Sequence, residues 1–446
     1  MKKILLIGFF FCGMLSFAQK YVDIQDLEIL GRAFENTEGL YGRLPLDMKS
    51  EYRPDLWSYG AHSAGVAVRF SGYNVTELLV KWSVKSNFSM KHMASSGIQG
   101  VDFYIFENGK WQYLGTGHDE IRIPLASGPA TIIRYMDEGK DKEFLAYLPL
   151  YNNTVKVEIG GCMKTWMDGH SICHDCTIAK PKSSILRKGA NKPIVFYGTS
   201  IVQGGCASRP GMVHTSIIER ALQTEVINLG FSGNAQCDKS MLKTLKRIDA
   251  SAYVLDFMPN MTSLKMIQDS AEYFIDELAK DKPNAKIYII ENYNFPTSIV
   301  TAKNNRFKME NDELRAIYNK LKDTHKNLVY IDTEGIIGDD GEGTVDGVHL
   351  TDLGFMRLAE NLLKQMSAST TLPPSVAKPT PTLKAYTSGK TIIVENAQGK
   401  EVQLFNAAGQ FLVSEANSGG EVRMPVAQSG VYIVKVESET VKVLVE

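Results

Sequence analysis

Between residues 190 and 368 short apolar runs alternate with longer amphipathic segments. The runs occupy 193–197, 225–229, 252–256, 286–290 and 328–332, and apolar residues dominate each of them. That is the pattern of strands covered on both faces. The segments 215–222, 264–278, 311–321 and 352–366 place apolar residues at helical spacing instead. Strands of this type alternating with helices predict a three-layer α/β/α sandwich around a parallel sheet. Ligands of such sheets bind beyond the carboxyl ends of the strands, so the residues that follow each run are where chemistry is expected.

The flanking regions read differently. From about 20 to 185 short runs rich in β-branched and aromatic residues, at 65–70, 77–82, 101–106, 111–114, 144–150 and 155–159, are separated by turn residues. Asn108-Gly109 between two of them is a hairpin signal, and the whole predicts an antiparallel β-sandwich. Residues 368–382 are Ser/Thr/Pro-rich, which is linker composition. Beyond them 391–394, 402–405 and 431–436 predict a small C-terminal β-sandwich. At the other end Lys2 and Lys3 precede an apolar run at 4–17 and the small-residue pattern Ser16-Phe17-Ala18 before Gln19, the layout of a secretory signal peptide. The expected division is therefore a signal peptide at 1–18, an N-terminal β-sandwich domain at 19–187, an α/β domain at 188–367, a linker at 368–382 and a β-module at 383–446.

Composition narrows the function. A hydrophobic content of 44% with 22% charged residues is globular, and a net charge of -1 gives no basic surface for nucleic acid or anionic membrane. No later stretch reaches roughly 18 uninterrupted apolar residues, so no transmembrane segment is expected in the mature chain. Export permits disulfides among Cys162, Cys173, Cys176, Cys206 and Cys237, and their odd number leaves at least one thiol free. The Cys162, Cys173 and Cys176 group, with His170 and His174 inside it, favours a disulfide-stapled loop over unpaired thiols or a zinc site.

Candidate chemistry lies where the alternation pattern puts it. Tyr197-Gly198-Thr199-Ser200-Ile201 follows the first strand run and presents a serine on a tight turn. A serine hydroxyl needs a base, and Asp346-Gly347-Val348-His349 just before the last helix offers an imidazole with a carboxylate to orient it. Oxyanion donors follow the second and third runs, as the glycine turn Gly230-Phe231-Ser232-Gly233-Asn234 and as the amide of Asn260. Each piece is common by itself. Their joint order in one domain points to nucleophilic catalysis with no cofactor and no metal. A different class, a glycan-binding protein using Trp57, Trp82 and Trp111 as exposed platforms, is also open, as is a zinc hydrolase built on His170, Cys173, His174 and Cys176.

On these residues the stretch 190–367 resembles the SGNH/GDSL hydrolase family. The resemblance implies Ser200 as nucleophile and oxyanion donor, Gly233 and Asn260 as further oxyanion donors, His349 as base and Asp346 as its orienter. Thr199 stands where the common motif has aspartate, and Met258-Pro259-Asn260-Met261 where it has Gly-x-Asn-Asp. The runs Gly204-Gly205-Cys206-Ala207-Ser208-Arg209-Pro210-Gly211 and Gly100-Val101-Asp102-Phe103-Tyr104 are similar to an exported bacterial subgroup with an N-terminal GxDLY-type β-domain. The tail, through Asn406-Ala407-Ala408-Gly409-Gln410 and Ser429-Gly430-Val431-Tyr432, resembles a type IX secretion sorting domain. The resemblance implies an exported serine esterase acting on acyl groups of polysaccharide, or on lipid esters or thioesters, delivered to the surface or secreted through the periplasm by secretion machinery that reads the tail.

Overall fold

The computed structural model describes residues 20–117, 121–122, 126–127, 130–133, 136–137, 139–167, 170–186, 188–293, 301–369, 384–395, 397, 401–416, 421–436 and 439–445. The expected signal peptide and residues 370–382 of the expected linker lie outside them. The five apolar runs form strands β1 (Ile194–Gly198), β2 (Val226–Gly230), β3 (Ala252–Asp256), β4 (Lys286–Ile290) and β5 (Leu328–Ile331), all parallel in the order β2-β1-β3-β4-β5. Among the described residues six helices lie between or after them: α1 (Ser200–Gln203), α2 (His214–Leu222), α3 (Lys239–Lys246), α4 (Leu264–Asp281), α5 (Thr301–Leu321) and α6 (Asp352–Ser369).

Successive strand residues face opposite layers, as the pleat requires. Val195 and Tyr197 of β1 pack with Ile275 of α4 and Leu314 of α5, whereas Ile194 and Phe196 pack with Ile218 of α2 and Leu358 of α6. Both faces are buried, which is why the strand runs lack polar alternation. Strand order reverses beside β1, so its carboxyl end lies at the topological switch point where ligands of open α/β sheets bind.

The N-terminal region is a sandwich of two antiparallel sheets. One centres on Glu77–Val84 and Thr154–Met167, the other on Ala67–Tyr73, Val101–Glu107 and Asp141–Tyr147. Val68, Phe70, Phe103 and Phe144 of the second sheet meet Leu78, Val80 and Trp82 of the first in one core. Asn108 and Gly109 both adopt positive φ (52° and 77°), as the mirror-image hairpin turn demands. The outer face of the second sheet joins the α/β domain. Asp102 Oδ2 accepts from Gly211 N (2.8 Å) and Arg209 Nη1 (2.6 Å), Arg209 Nη1 also donates to Tyr104 Oη (2.6 Å), and Tyr147 Oη donates to Glu219 Oε2 (2.7 Å). Asp102 and Tyr104 of the Gly-Val-Asp-Phe-Tyr motif are thus part of the joint.

Much of the segment 31–64 packs on the α/β domain, while its Tyr41 belongs to the sandwich core. Leu44, Met48, Tyr52 and Leu56 belong to the same apolar cluster as β1 and α4. Arg43, fully buried, donates to the carbonyls of Tyr59 (2.7 Å), His62 (2.9 Å), Asn228 (3.1 Å) and Gly230 (2.7 Å). These bonds satisfy a charge that burial would otherwise make costly.

The C-terminal unit, from Pro373 on, is separate. A three-stranded and a four-stranded antiparallel sheet enclose a core that includes Ile392, Val394, Leu404 and Val434. Its Asn-x-x-Gly-Gln turn is held by Asn406, whose Oδ1 accepts from Ala408 N and Gln410 N (both 3.0 Å), while Gly409 takes φ 77°. Among the described residues no helix is long and apolar enough to cross a membrane.

Candidate active site

Ser200 is carried past the end of β1 by a turn that only small residues fit. A Cβ on Gly198 would lie 2.4 Å from Val202 Cγ2 and 2.6 Å from the Asp256 carbonyl oxygen; one on Gly230 would lie 2.1 Å from Gln203 N. These glycines let α1 nest against β1 and β2. Thr199 caps α1, its Oγ1 accepting from Ile201 N (3.2 Å). Gly204 ends it at φ 111°, and the N–H groups of Gly204 and Gly205 both donate to the Ser200 carbonyl (2.9 and 2.8 Å). The serine backbone is therefore fixed from both sides.

The loop before α6 brings the imidazole. Asp346 Oδ1 accepts from the N–H groups of Val348 (3.0 Å) and His349 (2.8 Å), an Asx turn completed by Gly347 at φ 79°. Its other oxygen, Oδ2, lies 2.8 Å from His349 Nδ1, and His349 Nε2 lies 2.8 Å from Ser200 Oγ. A carboxylate only accepts, so Nδ1 carries the ring proton, Nε2 is the acceptor and the Ser200 hydroxyl donates to it. Partial burial works to raise the Asp346 carboxyl, but the hydrogen bonds from the His349 side chain and backbone prevail and hold it below the usual carboxylate range. It stays charged beside the ring.

The two other expected donors stand in adjoining loops. Gly233 adopts φ 69° with open space where a Cβ would be. Its turn is pinned by Phe231 N donating to the Gly198 carbonyl (2.8 Å) and Ser232 N donating to Gln203 Oε1 (2.9 Å). Asn260 sits on the 3-10 turn Met258–Asn260, and its Oδ1 accepts from Ala235 N (3.1 Å). That bond ties the loop after β2 to the loop after β3 and leaves the amide N–H groups as the end available to a ligand. Ser200, His349 and Asp346 are in direct contact; Gly233 and Asn260 are linked through Ala235.

Beside this line of residues lies a small apolar pocket lined by Ile201, Pro259, Tyr293, Phe307, Ile337 and Val348 among others. Its free volume is about 20 Å³, room for one or two water-sized groups. Behind it Asp256, wholly buried at the end of β3, accepts a hydrogen bond from Tyr293 Oη (2.8 Å), and burial pushes its carboxyl up to about 7 against that bond.

Several neighbours escaped the sequence reading. His92 comes from the N-terminal region, with Nε2 3.9 Å from Asp346 Oδ2 and its ring 5.4 Å from that of His349. No local pattern marks it, because only the packing of the two regions brings it there. Cys206, buried after Gly205, has a thiol that burial and then Asp346 push up to about 12, so it is no nucleophile. Gln203 and Arg43 hold the loop and strand end beside Ser200 through Ser232 N and the Gly230 carbonyl, and no sequence pattern marks either.

The cysteine and tryptophan expectations also meet the structure. Cys162 is disulfide-bonded, as the stapled-loop reading expects, and Cys176, Cys206 and Cys237 are free; the side chains of His170 and Cys173 lie outside the described ones. Trp82 and Trp111 are 3% and 8% exposed, and Trp57 packs against the α/β core. They are core residues rather than platforms.

Residues 191–367 match the GDSL-like lipase/acylhydrolase family, residues 19–165 match the N-terminus of SGNH-hydrolase-type esterases, and residues 379–445 match a domain of unknown function, DUF6383. The chain is similar to a crystal structure of a protein proposed to be a GDSL-like lipase, from Bacteroides ovatus ATCC 8483. That likeness has 31% identity and a TM-score of 0.70, covering 79% of this chain and 98% of the other. It shares its fold with a salicylyl-acyltransferase from a tetracycline biosynthetic pathway, at 15% identity and a TM-score of 0.61, covering 80% and 98%. No curated protein matches the chain.

Proposed function

The chain belongs to the GDSL-like lipase/acylhydrolase family, and from that premise we propose that it is a serine esterase removing short acyl groups, acetyl foremost, from polysaccharide. The observation that carries the reading is the unbroken line from Ser200 Oγ through His349 to Asp346, with both links at 2.8 Å.

In the proposed reaction Ser200 Oγ attacks the ester carbonyl carbon while its proton passes to His349 Nε2. Asp346 stays ionised and stabilises the imidazolium. The carbonyl oxygen becomes an oxyanion that accepts from the N–H groups of Ser200 and Gly233 and from the Asn260 amide. Collapse breaks the bond to the alcohol oxygen, and His349 returns the proton to it. A water, deprotonated by the same nitrogen, then attacks the acyl-serine, and the acid leaves as Ser200 regains its proton. This serine route calls on no metal or cofactor.

The small apolar pocket lined by Ile201, Pro259, Tyr293 and Val348 next to the site supports a short acyl group in this reading. The polysaccharide part of the reading rests on the signal-peptide pattern at 1–18 and on the resemblance stated above. We read the C-terminal unit as the address that directs the chain to the surface or the medium. Turnover of p-nitrophenyl acetate and release of acetate from acetylated glycans test the proposal. Ser200→Ala should cost roughly three or more decades, His349→Ala a similar amount, and the double variant little more. A folded Ser200→Ala variant with wild-type turnover would sink it.

A further inference from the structure

Two side chains outside the Ser200–His349–Asp346 line converge on the same imidazole. Cys206 is buried just past α1, and His92 reaches in from the N-terminal region with its side chain 39% exposed. One donor atom from each of His92, Cys206 and His349 lies within 4.8 Å of the other two. Two imidazoles and a thiol are the borderline-soft donor set of zinc and its tetrahedral relatives. A tetrahedral zinc site holds such atoms roughly 3.5 Å apart, so a pair at the 4.8 Å limit would close by about an ångström, and the partly exposed His92 is the side chain with room to move. The outer arrangement is already in place. Asp346 accepts from His349 Nδ1 (2.8 Å) and fixes the tautomer in which Nε2, the acceptor of the Ser200 hydroxyl (2.8 Å), is the ring nitrogen with a lone pair to offer; metal-ligating histidines are usually held by a carboxylate in this way.

We propose that His92, Cys206 and His349 form an inhibitory site for a zinc-like divalent cation, which takes the His349 Nε2 lone pair that otherwise accepts the Ser200 proton. On binding, the cation accepts a lone pair from each imidazole nitrogen. Cys206 Sγ bonds to it as thiolate, releasing its proton to water, and a fourth position stays open to solvent beside His92. Nothing is oxidised or reduced. With Nε2 coordinated, Ser200 has no base, so turnover stops until the cation leaves. Catalysis itself needs no metal; the cation is a switch laid over the site. The inhibitory half rests on His349 being the base, whereas the binding half rests on the cluster alone.

The test uses the purified full chain, stripped with a chelator and dialysed. Cobalt(II) is titrated in and followed by its thiolate-to-cobalt absorption, and zinc is added in parallel during p-nitrophenyl acetate hydrolysis. The expected result is a saturable thiolate band, loss of turnover by tenfold or more in zinc, and full recovery on chelation. Cys206→Ala and His92→Ala should keep metal-free turnover; Cys206→Ala should lose the band, and both should need at least roughly tenfold more zinc for half-inhibition. No thiolate band, or a zinc sensitivity in both variants equal to that of the wild type, overturns the site. A band that Cys206→Ala removes, with turnover unchanged in the wild type, overturns the inhibitory role and counts against His349 as the base, even if Ser200→Ala has already proved inactive.

Discussion

Asn260 commits its side-chain oxygen to Ala235 N (3.1 Å), so only its amide N–H groups remain to meet a developing negative charge. Asn260→Ala should therefore lower kcat roughly a hundredfold with KM nearly unchanged, as for loss of one oxyanion donor. Steady-state kinetics with p-nitrophenyl acetate check this, and an unaltered kcat would mean that the amide points elsewhere. Asp256 makes a different prediction. Its carboxyl is pushed by burial up to about 7, against an unfolded value of about 4. Between those values the folded chain keeps a proton that the unfolded chain has released, so this group's contribution is full below about pH 4 and lost as pH rises through about 7. Asp256→Asn removes the loss. Its melting temperature relative to wild type should climb steadily from pH 4 to pH 8, and a pH-independent difference would refute the assignment. Ser200, His349 and Asp346 could be read in the sequence because their residue types and positions after strands are themselves the signal. Nothing comparable marks Asp256, a strand end like others, until Tyr293 is seen to bond it.

Helix α1 is four residues long, yet it carries the proposed nucleophile, and its seat is set by what its neighbours lack. Gly230→Ala would place a methyl 2.1 Å from Gln203 N, a backbone atom that cannot turn aside. The expected outcome is about 1–3 kcal/mol of lost stability together with a fall in turnover, because the relief of that clash moves Ser200. Denaturant midpoints and kinetics check it together; wild-type values in both would show that α1 is not held against β2. Element legibility followed burial. Helices α2, α4 and α6 bury a clear stripe and were visible in the sequence. Helix α5 runs from Thr301, ten residues before the periodicity seemed to begin at 311, because its first turns are mostly polar and present no stripe. Helix α3 was missed: its eight residues bury Met241, Leu242 and Leu245 between lysines, too short a span for a period to declare itself.

For the whole molecule, the two ends of the chain should respond oppositely to truncation. The C-terminal unit from Pro373 has its own core, so a chain ending near residue 370 should melt and turn over like the full protein, while in a native host it should remain in the periplasm. Loss of activity, or continued delivery to the surface, would contradict one half or the other. The N-terminal region cannot be shed in the same way. Leu44, Met48, Tyr52 and Leu56 complete the core beneath β1 and α3, and Arg43 holds the end of β2. A chain beginning at residue 188 exposes that core and should fail to fold cooperatively.

The sequence by itself determined the parallel α/β core and the antiparallel regions on either side, and it nominated Ser200, His349 and Asp346 as candidates for nucleophile, base and orienter. Those follow from local facts: how often apolar residues recur, which turns need glycine, and which side chains can exchange a proton. Tertiary structure alone decided that Leu44, Met48, Tyr52 and Leu56 belong to the core of the α/β domain, that Asp102 and Tyr104 join the two regions, and that His92 stands against His349. Each of these depends on contacts between residues far apart in the chain, and such contacts leave no period or spacing in the sequence because three-dimensional packing, not chain neighbourhood, selects the partner.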